Sequence, residues 1–540
     1  MTLEFDLVIV GAGSAGSVAA GMLAKNTNLS ILVLEAGGSD LRPDIKTPIG
    51  YGATFFNPKV NWCYWTIEQK HMENRKIYVP RGKVVGGSAS INAMVYLRGQ
   101  KTDFDDWANF SSTDLGWEEV KKTYDLLEGV GGDNETALIS VSDVSDQHQA
   151  MIQKFFEAGE DIGFYKKQNI NSGNSEGIGH YPITTKFGVR RTSADSFLKP
   201  SIKRKNLTLL RNCHVTKLAM NNNKVTRVDF LQGGRSERSV SLRVGAILAA
   251  GAINTPQLLM LSGVGPANEL KDHGIDVVID NRNVGRNLQD HIGIDYFYET
   301  TEKSLNRVLG TWSGRIVAAF KYLTLRKGPF SLSVNQAGGF VDWNSRRTES
   351  NLQLYFNPAT YSIRRNTKKR ELLRPDKFDG FAIGFQPCRP NSRGFVKLQS
   401  NDPLIPPIIN PRFLESKSDL HDVASGIQCI EALVSNKNLK DITVAAKSID
   451  LENSTINDKL ADFRSRAVSV YHPCGTCRVG RDPLESVVSE DFKFRELDNL
   501  WVADASLFPN ITSGNINAPT MMLAYKVSQS ICKQLKNKKR

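Results

Sequence analysis

Short, wholly apolar runs recur along the chain, each ended by glycine or by a polar break. Residues 5–10 (FDLVIV) form the first and read as a buried strand. They lead into GAGSAG at 11–16 and then into SVAAGMLAK, a small-residue stretch with helical character. Residues 31–35 (ILVLE) give a second buried strand, so the N-terminus predicts a β-α-β unit of the doubly wound kind. A second Gly-rich block, residues 82–99 (GKVVGGSASINAMVYLRG), predicts a loop that enters a helix and lets something large lie close to the backbone.

Downstream, residues 207–231 alternate apolar and polar positions and predict strands joined at the NNN turn. SLRVGAILAAGA predicts another buried strand ending at Gly251, followed by a helix, INTPQLLMLSG, closed by Gly263. Residues 296–464 change texture, with aromatic and proline-punctuated runs such as YFNPATYSIRR that predict antiparallel strands with helices. The last 75 residues return to strand–turn–helix logic, with NLWVADASLFP, a polar loop and the closing helix APTMMLAYKVSQSICKQL. No internal repeat, low-complexity tract or heptad run interrupts this order.

A chain of 540 residues exceeds one ordinary core and predicts two packed domains. With 40% apolar and 23% charged residues it has the composition of a soluble globular enzyme. No segment is long and apolar enough to span a bilayer, and MTLEFDLVIVGAG reaches a strand without a signal-peptide pattern. The expectation is a cytoplasmic enzyme, with at most peripheral association with the inner membrane surface. The net charge is +13, concentrated in runs such as RRNTKKR at 364–370 and the terminal KNKKR. Without zinc-finger spacing or an RNA-binding aromatic motif, these runs read as solvated surface, and no nucleic-acid partner is expected.

The cysteines, Cys63, Cys213, Cys388, Cys429, Cys474, Cys477 and Cys532, are odd in number and scattered, which argues against a disulfide framework. Cys474 and Cys477 form a C-x-x-C with no second pair to complete a zinc site, and they read as reduced structural residues. No metal is expected.

The G-x-G-x-x-G at Gly11, Gly13 and Gly16 sits between a strand and a helix. Its glycines allow a tight turn and the approach of a pyrophosphate to the helix N-terminus. Glu35 ends the next strand, where a carboxylate can accept hydrogen bonds from a ribose. An adenosine diphosphate group follows from this pattern, in either a flavin or a nicotinamide cofactor.

Five further segments resolve that choice. Residues 82–99, 251–265 (GAINTPQLLMLSGVG), 284–291 (VGRNLQDH), 471–480 (YHPCGTCRVG) and 503–520 (ADASLFPNITSGNINAPT) occur in one order over nearly the whole chain. In this the sequence resembles the glucose–methanol–choline (GMC) oxidoreductase family, and its texture resembles the bacterial choline dehydrogenase-like and alcohol dehydrogenase members. The resemblance implies an α/β fold with an α+β substrate part: a Rossmann-like FAD-binding domain, discontinuous over 1–295 and 465–540, and a substrate domain over 296–464 built on an antiparallel sheet with helices.

It also implies a site. Gly11, Gly13, Ser14, Ala15, Gly16, Glu35 and Ala36 would hold the ADP half of FAD. Gly87, Ser88, Asn92, Ala93, Met94 and Val95 would follow the diphosphate and flavin, and Val215 would face the adenine. Asp504, Ala505, Asn515, Pro519 and Thr520 would complete the flavin site. His472 occupies the position of the family's catalytic histidine, and Asn517 that of its partner. The implied reaction is oxidation of an alcohol by hydride transfer to flavin, with quinone or oxygen as electron acceptor. Histidine suits the base because its pKa lies near working pH, and an amide can hold charge developing on the substrate oxygen. His291, though in a family motif, reads as architectural.

Departures from the pattern refine these expectations. Ile91 stands where some family oxidases carry a histidine linked to FAD, so non-covalent FAD is expected. Gln336 aligns where choline-oxidising members carry a carboxylate, and its neutral amide favours a neutral primary alcohol over choline. The alternatives are choline dehydrogenase proper, an oxygen-using alcohol oxidase, and a flavin-binding scaffold without turnover.

Overall fold

Strand Leu3–Val10 pairs in parallel with Ile31–Glu35 on one side and with Ser236–Leu248 on the other. Helix Ser14–Asn26 joins the first two strands. Leu7–Val10 and all of Ile31–Glu35 are buried, which explains runs that are uniformly apolar rather than alternating. Leu207–Arg211 extends this sheet beyond Ile31–Glu35, and Leu500–Val502 pairs in parallel with the end of Ser236–Leu248. The start of Ser236–Leu248 joins an antiparallel ribbon with Lys224–Gln232 and Cys213–Asn221. Their turn falls at Asn222 and Asn223, with φ of 47° and 57°, the left-handed pair that a two-residue hairpin requires and asparagine tolerates.

The chain is described from a computed structural model covering residues 3–129, 137–173, 176–344, 349–366 and 369–537. The basic run at 364–370 and the end of KNKKR fall partly outside these residues.

A second sheet is antiparallel throughout, in the order Ala337–Val341, Leu352–Asn357, Gly380–Pro387, Ile292–Thr300, Thr443–Ala446. Behind it Phe155, Phe356 and Phe381 stack in series with centroids 5.0 and 5.3 Å apart. This core also draws Ile152, Phe156 and Ile178 from early in the chain. Conversely, Val396, Leu398 and Ile409, from the middle of the chain, pack into the core of the first sheet. The two cores therefore exchange segments across residues 295 and 464.

The Gly-rich block differs from its predicted form. It makes a single 3-10 turn at Gly87–Ser90 and then continues without regular structure until helix Lys101–Phe110. Gly86, Gly87 and Met94 have φ of 85°, 56° and 66°, and each interrupts helical geometry. The closing helix, Asn517–Asn537, packs along Ser14–Asn26 and brings the C-terminal motif beside the N-terminal glycine loop.

Candidate active site

The two Gly-rich loops lie against one another. Gly86 N–H donates to the Ala12 carbonyl at 2.8 Å. A Cβ at Gly87 would come within 2.7 Å of Gly13 Cα, and one at Gly16 within 1.9 Å of the Gly11 carbonyl oxygen. Absent side chains thus open a cradle at the N-terminus of helix Ser14–Asn26, where the aligned backbone N–H groups favour an anion.

A cavity of about 1010 Å³ begins at this cradle. One end is lined by Glu35, Ala36, Trp62 and Val215, the other by Tyr471, His472 and Asn515. Gly11, Gly13, Ser14, Ala15, Gly87, Ser88, Asn92, Ala93, Met94, Val95, Asp504, Ala505, Asn517 and Thr520 also face it.

Three residues expected at the site do not line the cavity. Gly16 packs beneath the glycine loop, and Pro519 is buried in the first turn of the closing helix. Gln336 is buried elsewhere, its side-chain oxygen accepting from Gln149 N–H at 3.0 Å, so the substrate-pocket assignment is corrected. Val334 and Asn335, just before it, reach the wall instead.

Glu35 accepts from the N–H groups of Ala12 and Gly37, both at 2.8 Å, and so fixes the loop as well as facing the cavity. Its burial pushes its pKa up to about 7 against those two bonds. Arg190 is fully buried and donates to the Ala89 carbonyl at 3.0 Å and to the Asn92 side-chain oxygen at 2.8 Å, holding the second loop in place. Asp504 ties the cavity wall to the start of the next helix. It accepts from Gly251 N–H at 2.8 Å and the Thr255 hydroxyl at 2.6 Å, capping helix Gly251–Leu261.

At the other end the backbone is built around His472. Ile292 and Gly293 pair with Ser469 and Val468, and Gln289 bridges Cys474. The register slips by two residues between these pairings, and Tyr471 takes up the slip with a φ of 69°. This bulge aims the next side chain into the cavity. Asp290 locks it, accepting from His472 N–H at 2.7 Å and the Ser469 hydroxyl at 2.5 Å. Arg81 donates to the Tyr471 carbonyl at 2.6 Å. Cys474 and Cys477 are free and buried in the core behind this turn.

The hydrogen-bond chain through His472 fixes its tautomer. His291 Nε2 lies 2.9 Å from the Cys388 carbonyl, which only accepts, so Nε2 carries the proton. A neutral His291 then accepts at Nδ1, so the proton between His291 Nδ1 and His472 Nδ1, 2.9 Å apart, belongs to His472. That leaves His472 Nε2 with a lone pair, 3.2 Å from the amide nitrogen of Asn515. Burial holds the His472 pKa well below the ordinary histidine value, and the nearby His291 and Arg81 add to the shift.

Sequence placed Asn517 beside His472. The structure puts Asn515 there. Asn517 instead accepts from the Ser14 hydroxyl at 2.7 Å, on the side of the glycine loop. Both asparagines precede or begin the same helix, and only the tertiary turn distinguishes them. Sequence reading also passed over Trp62 and His214, whose rings meet edge to face at 5.5 Å near Val215, and Asp295, a carboxylate on the wall. NWCYW and the alternation of strand Ile292–Thr300 are the signals that mark them.

The cradle, the carboxylate at the strand end and a cavity of this volume fit an FAD. The comparisons agree. The chain is 36% identical to the alcohol dehydrogenase [acceptor] of Pseudomonas putida, covering 98% of this chain and 96% of the relative. It is 32% identical to the oxygen-dependent choline dehydrogenase of Rhizobium meliloti, with the same two coverages. Among solved structures it resembles pyridoxine 4-oxidase from Mesorbium loti, with a TM-score of 0.84 and 28% identity over 97% of this chain and 98% of that one. A formate oxidase gives a TM-score of 0.90 at 25% identity over 99% of both chains. Family models described as GMC oxidoreductase match residues 5–293 and 390–524, and the chain belongs to this family of FAD-dependent oxidoreductases.

Proposed function

We propose that the protein oxidises a primary alcohol to the aldehyde, with His472 as the base that takes the hydroxyl proton. One observation carries the reading: His472 presents an unprotonated Nε2 to the cavity, set by its bond to His291 and paired with the Asn515 amide. Gly11, Gly13, Ser14 and Gly87 would hold the pyrophosphate of FAD, Glu35, Trp62 and Val215 the adenosine, and Ser88, Asn92–Val95, Ala505 and Thr520 the ring system. Bound FAD supplies the two-electron acceptor for the hydride. His472 Nε2 accepts the hydroxyl proton as the carbon–hydrogen bond weakens. Asn515 Nδ2 donates to the substrate oxygen and stabilises the charge that builds there. Asn517, bonded to Ser14, positions the glycine loop. Ile91 on the wall supplies no nucleophile, and FAD is held non-covalently.

The substrate proposed is neutral. Gln336 gives no support, because it lies outside the cavity. The argument rests on Arg315, Arg374 and Arg466, which line the wall together with apolar Leu309, Phe330 and Val334. Arg466 is paired with Asp462 at 2.6 Å. Asp295 puts a carboxylate on the same wall and favours choline as a second reading: Tyr361 donates to it at 3.3 Å, and the aromatic pair Phe55–Tyr471 faces the same cavity. The acceptor proposed is a quinone or oxygen; the relatives' names carry oxygen in one case and an unspecified acceptor in another.

The test is the visible spectrum of the purified protein, taken without oxygen before and after adding primary alcohols and choline. Bleaching of the flavin band by an alcohol is expected, with uncharged alcohols acting at lower concentration than choline. Choline acting best would overturn the neutral-substrate reading. A flavin band that no alcohol bleaches would overturn the reaction.

A further inference from the structure

Helix Trp312–Leu325 touches the rest of the protein through little more than Ala318 and Tyr322. Its other face is apolar and open to solvent: Trp312 is 81% exposed, Ile316 63%, Phe320 69% and Leu323 69%. At ~100° per residue these four side chains fall within ~80° of one another, on the side away from Ala318 and Tyr322. Val317 flanks them and is also exposed. A globular surface scatters such residues singly, and a contiguous stripe of them marks a surface with something to bind.

The stripe is bordered by charge of one sign. Arg315 and Arg326 lie along one edge and Lys321 along the other, all exposed. Lys327 follows, 3.5 Å from Asp146, the acid paired with this border. Next to the helix end stands the turn bearing Phe187, 79% exposed, with the Lys186 ammonium over its ring. The turn is seated there by Gly188, where a Cβ would come within 2.1 Å of the Arg326 carbonyl oxygen.

We propose that this face docks on an anionic lipid bilayer. The pattern is that of a helix lying in the membrane interface: an apolar stripe with aromatic residues, bordered by arginine and lysine, on a chain of net charge +13. The helix has 14 residues, and no helix among the described residues is long and apolar enough to cross a membrane, so it lies on the surface. A protein partner of opposite charge would have to match an apolar stripe as well as the basic border, whereas a bilayer offers both at once. The same docking brings the cavity to the membrane, because Leu309, Arg315 and Phe330, around this helix, line its wall. Docked, the site takes up apolar molecules dissolved in the bilayer. That last step rests on the proposed alcohol oxidation, and the docking does not.

The test is co-sedimentation of the full-length holoprotein with vesicles of phosphatidylcholine, with and without phosphatidylglycerol. Binding to the phosphatidylglycerol vesicles is expected, weakened by added salt. The double variant Phe320→Glu/Leu323→Glu should lower the partition coefficient at least about tenfold, because it removes two large side chains from the buried stripe. Its flavin spectrum and its mass in solution should match the parent's. Absence of parent binding to anionic vesicles overturns the proposal, as does a double variant that partitions like the parent. A parent that is oligomeric in solution and that the variant reduces to monomers assigns the face to a second copy and also overturns it. Since the measurement is partition, failure of the alcohol reading leaves it intact.

Discussion

The chemistry turns on which nitrogen of His472 lacks a proton. The chain Cys388 carbonyl, His291, His472, Asn515 answers this without reference to substrate. Replacing His472 by Ala should slow flavin reduction roughly 100-fold or more, the usual contribution of a positioned base. The asparagines separate by measurement: Asn515→Ala should slow reduction about tenfold or more. Asn517→Ala should leave the rate of bound flavin near the parent's. The reverse outcome would restore Asn517 to the base's side. Protonation destroys the base, and burial lowers the proton affinity of His472. The acid limb of the reduction rate should therefore lie below pH 6.5, the ordinary value, and the rate should stay flat as pH falls from 7 to 6.5. His291→Leu removes the acceptor for the His472 Nδ1 proton and frees the other tautomer. A rate loss with a changed pH profile is expected, and His291→Gln, which keeps an acceptor, should recover part of it. A variant that loses rate at all pH values equally and is not rescued by glutamine would reduce His291 to packing.

At the scale of elements, the two glycine loops form one device. Gly87 has a φ of 56°, and a Cβ there meets Gly13 Cα at 2.7 Å, with backbone on both sides and no flexible group to yield. Gly87→Ala should therefore fold with the loops pushed apart and bind FAD at least about tenfold more weakly, since left-handed strain and a clash act together. The ratio of flavin to protein absorbance after purification measures it, and a full flavin complement would refute the tight approach. The first of these loops was legible in the sequence because strand, glycines and helix are local and the strands are buried on both faces. The second was read as entering a helix, because small residues suit a helix unless φ turns positive, and nothing local announces that at Met94. The asparagines show the same limit. Asn515 and Asn517 share a polar loop and differ by two residues, and their roles divide because one meets Ser14, five hundred residues away in the chain. Gln336 was placed in the pocket by its alignment with a family carboxylate, and the strand that follows, Ala337–Val341, is buried on both faces and so carries no alternation to show which side chains point into the cavity.

At the scale of the molecule, the cavity is walled by both sheets. Gly11 and Glu35 come from the ends of the parallel strands, Asp295 from the antiparallel sheet, and His472 from the segment paired with the start of Ile292–Thr300 and with Gln289. The two cores exchange segments, so neither wall is free to part from the other without breaking apolar packing. A group that fills this space is bound by the whole native structure and by no single element. FAD therefore acts as a ligand of the folded state, stabilising it by RT ln(1 + [FAD]/Kd), or about 2.7 kcal/mol at a hundredfold excess over Kd. Removing the flavin should lower the melting temperature by a few degrees, as expected for a chain of this size, and adding FAD back should restore it in proportion to the logarithm of its concentration. The same experiment separates held from bonded flavin. Ile91 gives no atom for a covalent link, so acid precipitation should leave the yellow colour in the supernatant. Colour in the pellet would mean that another residue of the wall has bonded to the cofactor. A melting temperature indifferent to FAD would mean that the cavity is closed and stable on its own, and that the flavin adds chemistry to a fold that does not need it.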